Sequence, residues 1–277
     1  MKSENLDCRM GTVELDEEAC RFYRSSLAVL EEAGTPFLVG GAFALERYTG
    51  VSRYTKDFDL FVRPRDARRA LEAMGRAGYD TEMTSELWLG KAFYRDLFVD
   101  IIFRSGNGVS EVDDIWFEHA VDGEVLGVPT KLCPPEEIIW MKAFIMDRER
   151  YDGGDIAHLL RACVRDLDWQ RMLSNFGAYW RVLLSHLLLF GFIYPSEAAL
   201  VPREIMSELL DRLRVETDNP PDPVSTNNPE RVCRGTLLSR KQFLIDVEQW
   251  GYKDGRLMPA GTITGDEVAE LNEEARE

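Results

Sequence analysis

The sequence is poor in histidine and cysteine, and neither residue type has the spacing of a metal or redox site. The 277 residues include three histidines and five cysteines, and no two cysteines are separated by two residues. This argues against a zinc site built on Cys or His pairs and against a Cys-x-x-Cys redox centre. Because five is an odd number and the cysteines are far apart, we expect reduced thiols rather than a disulfide framework.

Long apolar stretches are also lacking. The longest, residues 182–194, is interrupted by Ser185 and His186 and is too short to span a bilayer. The residues after Met1 do not show the basic and then apolar order of a secretory signal. The sequence therefore predicts a cytoplasmic protein without a membrane partner.

Positive charge is scarce as well. The chain has 33 Lys and Arg against 49 Asp and Glu, a formal net charge of −16. Such a charge repels phosphate backbones, so binding to nucleic acid is not favoured unless basic side chains gather locally. Arg63, Arg65, Arg68 and Arg69 could form such a patch. A solvated helix face beside Asp66 is the favoured interpretation of these arginines.

What the sequence does have is the composition of a folded protein, with 45% hydrophobic and 30% charged residues. Apolar spacing and turn residues predict two kinds of element in the first half of the chain. The predicted helices cover residues 15–33, 42–48, 65–77 and 134–150, and the predicted strands cover 37–39, 58–62, 88–94 and 97–103. A hairpin is indicated around Gly123 and Gly127, and residues 154–197 have a helical pattern almost throughout.

These elements predict an α+β fold, in which a mixed sheet is flanked by helices and followed by a mainly helical C-terminal part. We expect four parts along the chain. They are a core at 1–132, a helical domain at 133–215, a proline-rich linker at 216–230 and a C-terminal segment at 231–277. The last segment regains apolar residues after the linker, so it must pack on something. Packing back on the core, beside the acceptor, is the hypothesis, and packing on the helical domain or on a second subunit are the alternatives.

Two carboxylates lie on the strand predicted at 58–62 or directly before it. Side chains alternate along a strand, so Asp57 and Asp59 point to the same face, about 7 Å apart along the chain. They repel each other unless a cation lies between them, and Mg²⁺ is the cation that one or two carboxylates and substrate phosphates usually hold. The alternative is a strand end with solvated charges.

Two further features point to the same chemistry. Gly40 and Gly41 stand between a strand and a helix, where backbone N–H groups and the helix N-terminus could face a triphosphate; a simple tight turn is the alternative. Asp100 is the one charged residue of an otherwise apolar strand, so it needs a partner. A metal shared with the other two acids would supply one, and an ion pair with Arg95 or Arg104 is the alternative.

This combination resembles the polymerase-β-like nucleotidyltransferase superfamily: a Gly-Gly pair, an Asp-x-Asp on a strand, and a lone Asp on a later strand. The fuller pattern, which adds Gly50, Arg53 and Thr55, is similar to the minimal bacterial branch of that superfamily. Lys142, followed by Arg148 and Asp155, extends the resemblance, which covers residues from about 35 to 160.

The resemblance implies transfer of a nucleoside monophosphate from an NTP to a hydroxyl-bearing acceptor, with release of pyrophosphate. It implies two Mg²⁺ ions, bridged by Asp57 and Asp59, with Asp100 on the acceptor side, where it could accept the proton of the acceptor. The groups implied in binding the phosphates are the following: Gly40, Gly41, Arg53, Lys56, Lys142 and Arg148. For Lys142 the alternative is a solvent-facing position on an amphipathic helix.

Two other functions stay open. A toxin-like nucleotidyltransferase would act on tRNA or protein, and an inert module of the same fold would bind a nucleotide or a partner without turnover. The sequence does not indicate which NTP is used, what the acceptor is, or whether the chain forms a homo-oligomer.

Overall fold

The computed structural model describes most of the chain, in four stretches: residues 8–53, 55–219, 231–259 and 261–274. Most of the predicted linker, residues 220–230, lies outside these stretches.

The chain divides into two compact units. The first unit consists of Met1–Gly106 and Ser110–Ile138, and the second of Asn107–Val109 and Ile139–Glu277. The division into four parts that the sequence suggests stays a prediction.

A mixed sheet forms the centre of the first unit. The strands described in this unit are β1 (Arg9–Met10), β2 (Val13–Glu14), β3 (Leu38–Val39), β4 (Asp57–Phe61), β5 (Asp80–Ser85), β6 (Leu89–Tyr94), β7 (Leu97–Ile102), β8 (Val121–Val125) and β9 (Val128–Leu132). β1 and β2 form a separate hairpin. The other seven strands form one sheet in the order β5-β6-β7-β4-β3-β9-β8, so β5 and β8 are its edge strands.

The helices described in the first unit are α1 (Glu17–Glu32), α2 (Gly41–Thr49), α3 (Pro64–Arg76), α4 (Asp114–Glu118) and α5 (Pro135–Ala143), the last of which continues into the second unit. Several begin at residues suited to a helix N-terminus. Asp16 and Asp113 accept hydrogen bonds from the backbone N–H groups of the first turns of α1 and α4, and Pro64 opens α3.

Side-chain alternation gives the central strands two different faces. Phe58 and Leu60 of β4 and Val99 and Ile101 of β7 are fully buried, in one apolar cluster with residues of α1 and α3. The residues between them point to the opposite face of the sheet. This second face carries the acidic residues singled out from the sequence.

The predicted fold class is confirmed. β4 pairs with β7 in parallel, as β3 does with β9, whereas β3–β4, β5–β6, β6–β7 and β8–β9 are antiparallel. The sheet is therefore mixed, and helices flank it. The hairpin indicated by Gly123 and Gly127 is present as β8 and β9.

The second unit is mainly helical, as predicted. Its helices are α6 (Gly153–Cys163), α7 (Trp169–Phe176), α8 (Trp180–Ile193), α9 (Arg203–Asp218), α10 (Arg240–Glu248) and α11 (Gly265–Glu274). Short 3₁₀ helices cover Gly177–Tyr179, Ala198–Leu200 and Gly235–Leu237, and two short strands, β10 (Val232–Cys233) and β11 (Lys253–Asp254), pair in parallel. The first residues of the predicted linker, 216–218, belong to α9.

Some elements differ from the sequence-based expectation. The helix predicted to reach Arg150 ends at Ala143, and an isolated bridge between Met146 and Tyr151 follows it. Strand β5 was not predicted, because most of its side chains are polar and exposed, so the apolar alternation that indicates a strand is missing.

The expectation of reduced thiols is wrong for one pair of cysteines. Cys8 and Cys20 form a disulfide, with their Cα atoms 5.5 Å apart. The pair forms because Cys8, directly before β1, lies beside α1, a proximity that the sequence spacing does not reveal. Disulfides are typical of oxidising compartments. The cytoplasmic location therefore stays a prediction.

The helical run from Trp169 to Ile193 is long and apolar enough to cross a membrane, judged by length and composition alone. The sequence-based estimate considered only residues 182–194. A core helix of a soluble protein passes the same test, and Leu183, Leu187 and Phe190 of this run are buried. The run by itself therefore does not establish a membrane span.

The described part of the C-terminal segment makes several contacts within the second unit. The N–H of Met146 donates to the carbonyl of Leu238 at 3.1 Å, and Arg240 Nη1 donates to the carbonyl of Leu271 at 2.6 Å. Leu271 of α11 is buried, so this helix is anchored rather than fully solvated. Packing of the segment on the core stays a prediction.

Candidate active site

Three carboxylates from two neighbouring strands come together on the second face of the sheet. In the parallel pair β4–β7, Asp59 lies directly opposite Asp100, and Asp57 lies opposite Phe98. One carboxylate oxygen from each of the three acids lies within 4.8 Å of the others. We call Asp57, Asp59 and Asp100 the carboxylate cluster. Within the described ranges, this is the group of acidic, His or Cys side chains whose ligand atoms lie close enough together to hold a metal ion.

The three acids have different surroundings. Asp57 and Asp59 are partly exposed, and the Thr55 hydroxyl donates a hydrogen bond to the carboxylate of Asp57. Asp100 is buried, with 9% of its surface exposed. A small cation could therefore reach the cluster from the side of Asp57 and Asp59, while Asp100 forms its inner wall.

The partner of Asp100 is Lys91, which the sequence analysis missed. Lys91 on β6 lies opposite Asp100 in the antiparallel pair β6–β7, and its Nζ is 2.6 Å from Asp100 Oδ1. The same ammonium lies 4.1 Å from the centre of the Phe98 ring. A lone basic residue in a strand-like segment was a visible signal, but the register that places it against Asp100 could not be read from one sequence.

The two arginines proposed as alternatives for this pairing have other partners. Arg95 pairs with Glu18 at 2.5 Å, and Arg104 pairs with Glu111 at 2.7 Å. Each of these arginines follows the end of β6 or β7, whereas Asp100 lies in the middle of β7. An ion pair of Asp100 with Arg95 or Arg104 is therefore the wrong interpretation.

Burial and the neighbouring charges act on Asp100 in opposite directions. Loss of solvent raises the pKa of this carboxyl, the hydrogen bond and charge of Lys91 lower it, and the charge of Asp57 raises it; the net shift is upward. A carboxylate with a raised pKa accepts a proton more readily than an ordinary aspartate. This property is suited to the acceptor-side role that the resemblance implies for Asp100.

The two glycines allow the backbone to approach the carboxylates closely. Gly40 donates its N–H to the carbonyl of Asp59 at 3.0 Å, and Gly41 begins α2 with a φ of +53°. A Cβ on Gly41 would overlap the Asp59 carboxylate, and one on Gly40 would overlap the ring of Phe61. Only glycine lets the N-terminus of α2 lie against the cluster, and the first helical turn is where anions bind.

Arg53 and Lys56 are exposed in the loop between α2 and β4. The loop is anchored to α1 by the hydroxyl of Tyr23, which donates to the carbonyl of Lys56 at 2.9 Å. Their contact with phosphate stays a prediction.

Lys142 and Arg148 belong to the second unit. Lys142 is buried, and its Nζ lies 2.6 Å from Asp152 Oδ2 and 2.7 Å from Asp155 Oδ2, so its solvent-facing interpretation is wrong. Arg150 also pairs with Asp152, at 2.9 Å. We call Lys142, Arg150, Asp152 and Asp155 the ion-pair cluster. Arg148 is exposed, and the phosphate contacts predicted for it and for Lys142 stay predictions.

The ion-pair cluster holds Asp152 in its charged form. Burial alone would raise the pKa of Asp152, but hydrogen bonds from Arg150 and Lys142, together with their charges, outweigh burial and lower the pKa to about 2. The ammonium of Lys142 is thus engaged by two carboxylates of its own unit.

The arginines considered as a nucleic-acid patch are engaged by neighbouring groups. Arg63 and Arg65 both lie 2.7 Å from Asp114, and Arg68 lies 2.6 Å from Glu86. Arg69 donates to the carbonyl of Ala33. These contacts favour the solvated helix face over an RNA-binding patch, although exposed ion pairs of this kind are weak.

Comparison with known proteins gives structural likeness only. No family model matches the sequence, and no curated protein matches it. Among solved structures, ANT(2'')-Ia in complex with adenylyl-2''-tobramycin is 17% identical, with 64% of this chain and 99% of that chain covered and a TM-score of 0.41.

Two further structures are similar at the same level. The lincosamide antibiotic adenylyltransferase LnuA with bound lincomycin is 14% identical, with coverage of 52% and 96% and a TM-score of 0.38. An antigenic nucleotidyltransferase-like protein from Paracoccidioides brasiliensis is 16% identical, with coverage of 68% and 94% and a TM-score of 0.43. Because the identities lie below 25% and the TM-scores below 0.5, their activities are not transferred to this chain.

Proposed function

We propose that this chain is a metal-dependent nucleotidyltransferase, which moves a nucleoside monophosphate from an NTP to a hydroxyl-bearing acceptor and releases pyrophosphate. The observation that carries the proposal is the carboxylate cluster, whose ligand atoms lie within 4.8 Å of one another beside the N-terminus of α2. Three acids and a glycine-lined helix start, drawn from separate parts of the sequence, form one site.

The residues present fit magnesium. Hard carboxylate oxygens are the ligands that Mg²⁺ prefers, and it completes its shell with water and substrate phosphates. Because Gly40 and Gly41 have no side chains, the backbone at the start of α2 can lie directly beside Asp59. Bound there, divalent cations would activate the acceptor hydroxyl and offset charge on the triphosphate and the leaving group.

The protein groups have separable roles in this proposal. The N–H groups in the first turn of α2 bind a phosphate oxygen, favoured by the positive end of the helix, and Arg53 and Lys56 offset phosphate charge. Asp57 and Asp59 would hold the divalent ions through their carboxylate oxygens. Asp100 accepts the proton of the acceptor hydroxyl, which the raised pKa of this carboxyl favours.

Lys142 and Arg148 are left out of the proposed site. Lys142 pairs with two carboxylates, so its charge is already offset. Arg148 is exposed in the segment after α5 and belongs to the second unit.

The experiment that tests the proposal is incubation of the full chain with each NTP, Mg²⁺ and a panel of acceptors: small hydroxyl compounds, tRNA and proteins. We expect pyrophosphate release and the mass of one nucleoside monophosphate on a single class of acceptor. Asp59→Asn should abolish both signals. Asp122→Asn, the same change at an exposed position on β8, should leave them intact.

Two results would favour the other functions. Binding of NTP with no pyrophosphate release, whatever the acceptor, would indicate the inert binding module. Addition of mass to tRNA or protein alone would indicate the toxin-like enzyme.

A further inference from the structure

Lys91 brings a positive charge to the place where the proposed function requires a metal. Its side chain is 21% exposed, and its ammonium is held from two sides, by Asp100 Oδ1 at 2.6 Å and by the face of Phe98 at 4.1 Å. Lys91 therefore already supplies the counter-charge that the buried Asp100 needs.

The carboxylate cluster and Lys91 together form a site with two competing cations. Oδ1 of Asp100 can accept a hydrogen bond from Lys91, but a divalent ion on the same carboxylate would lie within a few ångströms of the ammonium. Like charges at that distance repel strongly where solvent is limited. A bare cation must therefore displace Lys91 or bind against its charge.

The sheet offers Lys91 a second partner on its other side. In the antiparallel pair β5–β6, Glu82 lies directly opposite Lys91 and so points to the same face as the carboxylate cluster. Glu82 is exposed. A lysine side chain has a flexible four-carbon stem, so its ammonium can move from Asp100 to this cross-strand neighbour.

We propose that Lys91 is a built-in counter-ion of the carboxylate cluster, which competes with divalent cations for Asp100 and moves toward Glu82 when a cation arrives bound to the nucleotide. A bare cation gains only the carboxylates when it displaces Lys91. A nucleotide-bound cation also brings phosphates to the N-terminus of α2, and these contacts offset the displacement. The site therefore takes up metal together with the nucleotide. This inference rests on the proposed function, because it assumes that the cluster binds metal.

The test is titration of the full-length protein with Mn²⁺ in the absence of nucleotide, followed by the electron paramagnetic resonance signal of free Mn²⁺. We expect Lys91→Met to bind Mn²⁺ about tenfold more tightly than the unchanged protein, because the competing charge is gone. Lys91→Arg, which keeps the charge, should stay close to the unchanged protein. Lys91→Gln repeats the test with a polar side chain in case the Met variant does not fold.

Glu82→Gln is the matched variant on the other side of Lys91. It removes the second partner and leaves Asp100 untouched, so we expect Mn²⁺ binding to become about twofold to threefold weaker, a few tenths of a kcal/mol on the affinity scale. The control is Asp122→Asn on the far edge of the sheet, which should change nothing.

The outcomes separate this inference from the proposed function. Equal or weaker Mn²⁺ binding by Lys91→Met and Lys91→Gln, in a protein that transfers nucleotide, would overturn the inference alone. Tighter Mn²⁺ binding by these variants, together with no nucleotide transfer by the unchanged protein, would support the inference and contradict the proposed function. Failure of Lys91→Met and Lys91→Gln to bind Mn²⁺ without nucleotide would overturn the inference. Failure of the unchanged protein to bind Mn²⁺ in the presence of NTP as well would overturn both.

Discussion

The carboxylate cluster of the first unit and the ion-pair cluster of the second differ in the balance of their charges. In the first, three carboxylates face the single ammonium of Lys91. In the second, two carboxylates face an ammonium and a guanidinium, at distances of 2.6 to 2.9 Å. Counted over these named side chains alone, the first cluster has more negative than positive charges, and the second has equal numbers of both.

The difference distinguishes a candidate ligand-binding site from an ion-pair network that stabilises the fold. Surplus charge costs folding free energy, because buried or crowded carboxylates repel each other unless a cation joins them. A neutral cluster needs nothing from outside and ties its elements together. The predictions below test this contrast and are ordered by the expected change in the free energy of unfolding, from the largest to the smallest; for the carboxylate cluster, ligand binding is measured as well.

Lys142→Met should have the largest effect. It leaves Asp152 and Asp155 buried without the ammonium that contacts both, and breaking a buried ion pair by removing one partner costs about 3–5 kcal/mol. Urea denaturation followed by circular dichroism measures the loss. Lys142→Arg, which keeps the charge, should lose much less. A loss below about 1 kcal/mol in the Met variant would mean that this cluster contributes little to the free energy of unfolding.

Acid should weaken the ion-pair cluster through Asp152. The pKa of Asp152 is lowered to about 2 in the folded chain, so its contribution to stability is present above the ordinary aspartate pKa and is lost as the pH falls from about 4 to about 2. The shift corresponds to about 2 kcal/mol.

Asp100 responds with the opposite sign. Its pKa is raised, so it destabilises the fold at neutral pH, and protonation relieves this cost as the pH falls through the raised value. Unfolding measured from pH 7 to pH 2 in Asp152→Asn should lack the acid-dependent loss of the unchanged protein, whereas in Asp100→Asn that loss should remain. The same pH slope in Asp152→Asn and in the unchanged protein would contradict the assignment.

Gly41→Ala and Gly50→Ala form a matched pair. Both glycines have positive φ, +53° and +69°, so each substitution should cost about 1 kcal/mol in backbone strain. A Cβ at Gly50 meets nothing within 4 Å, whereas one at Gly41 overlaps the Asp59 carboxylate. We therefore expect Gly41→Ala alone to weaken Mn²⁺ binding, at least tenfold. Equal binding by the two variants would show that the close approach of α2 does not matter for the cation.

Asp57→Asn and Asp59→Asn should have the smallest effect on stability. Each removes one charge from a cluster with a surplus, so the free energy of unfolding should change by no more than about 0.5 kcal/mol. Calorimetric titration with an NTP should nevertheless show at least tenfold weaker binding in the presence of Mg²⁺. A loss of stability above about 2 kcal/mol would mean that these acids brace the fold as the second cluster does.

Much of the fold could be predicted from local patterns in the sequence. The strand and helix around Gly40 and Gly41, the Asp57–Asp59 strand and the β8–β9 hairpin follow from alternation and turn residues. These signals depend on neighbours in the chain. The edge strand β5 has no such signal. Its residues are mostly polar and exposed on both faces, so apolar and polar residues do not alternate along it.

The partners of charged groups were harder to predict because they depend on register and on long-range packing. The grouping of Asp100 with Asp57 and Asp59 could be anticipated, since lone acids on apolar strands need a partner. The identity of that partner, Lys91, depends on a cross-strand register. The burial of Lys142 depends on a turn after α5, in a segment where the sequence pattern predicted a continuous helix.

The two edge strands of the sheet also affect how two copies of this protein could associate. Edge strands expose backbone groups that can pair with another molecule, and charged side chains discourage this. Here β5 exposes Asp80 and Glu82 at one end, and β8 exposes Glu124 at the other. In a chain with a net charge of −16, either end would meet acidic side chains on a second copy. These acidic side chains therefore disfavour pairing of either edge of the sheet with the same edge of a second copy.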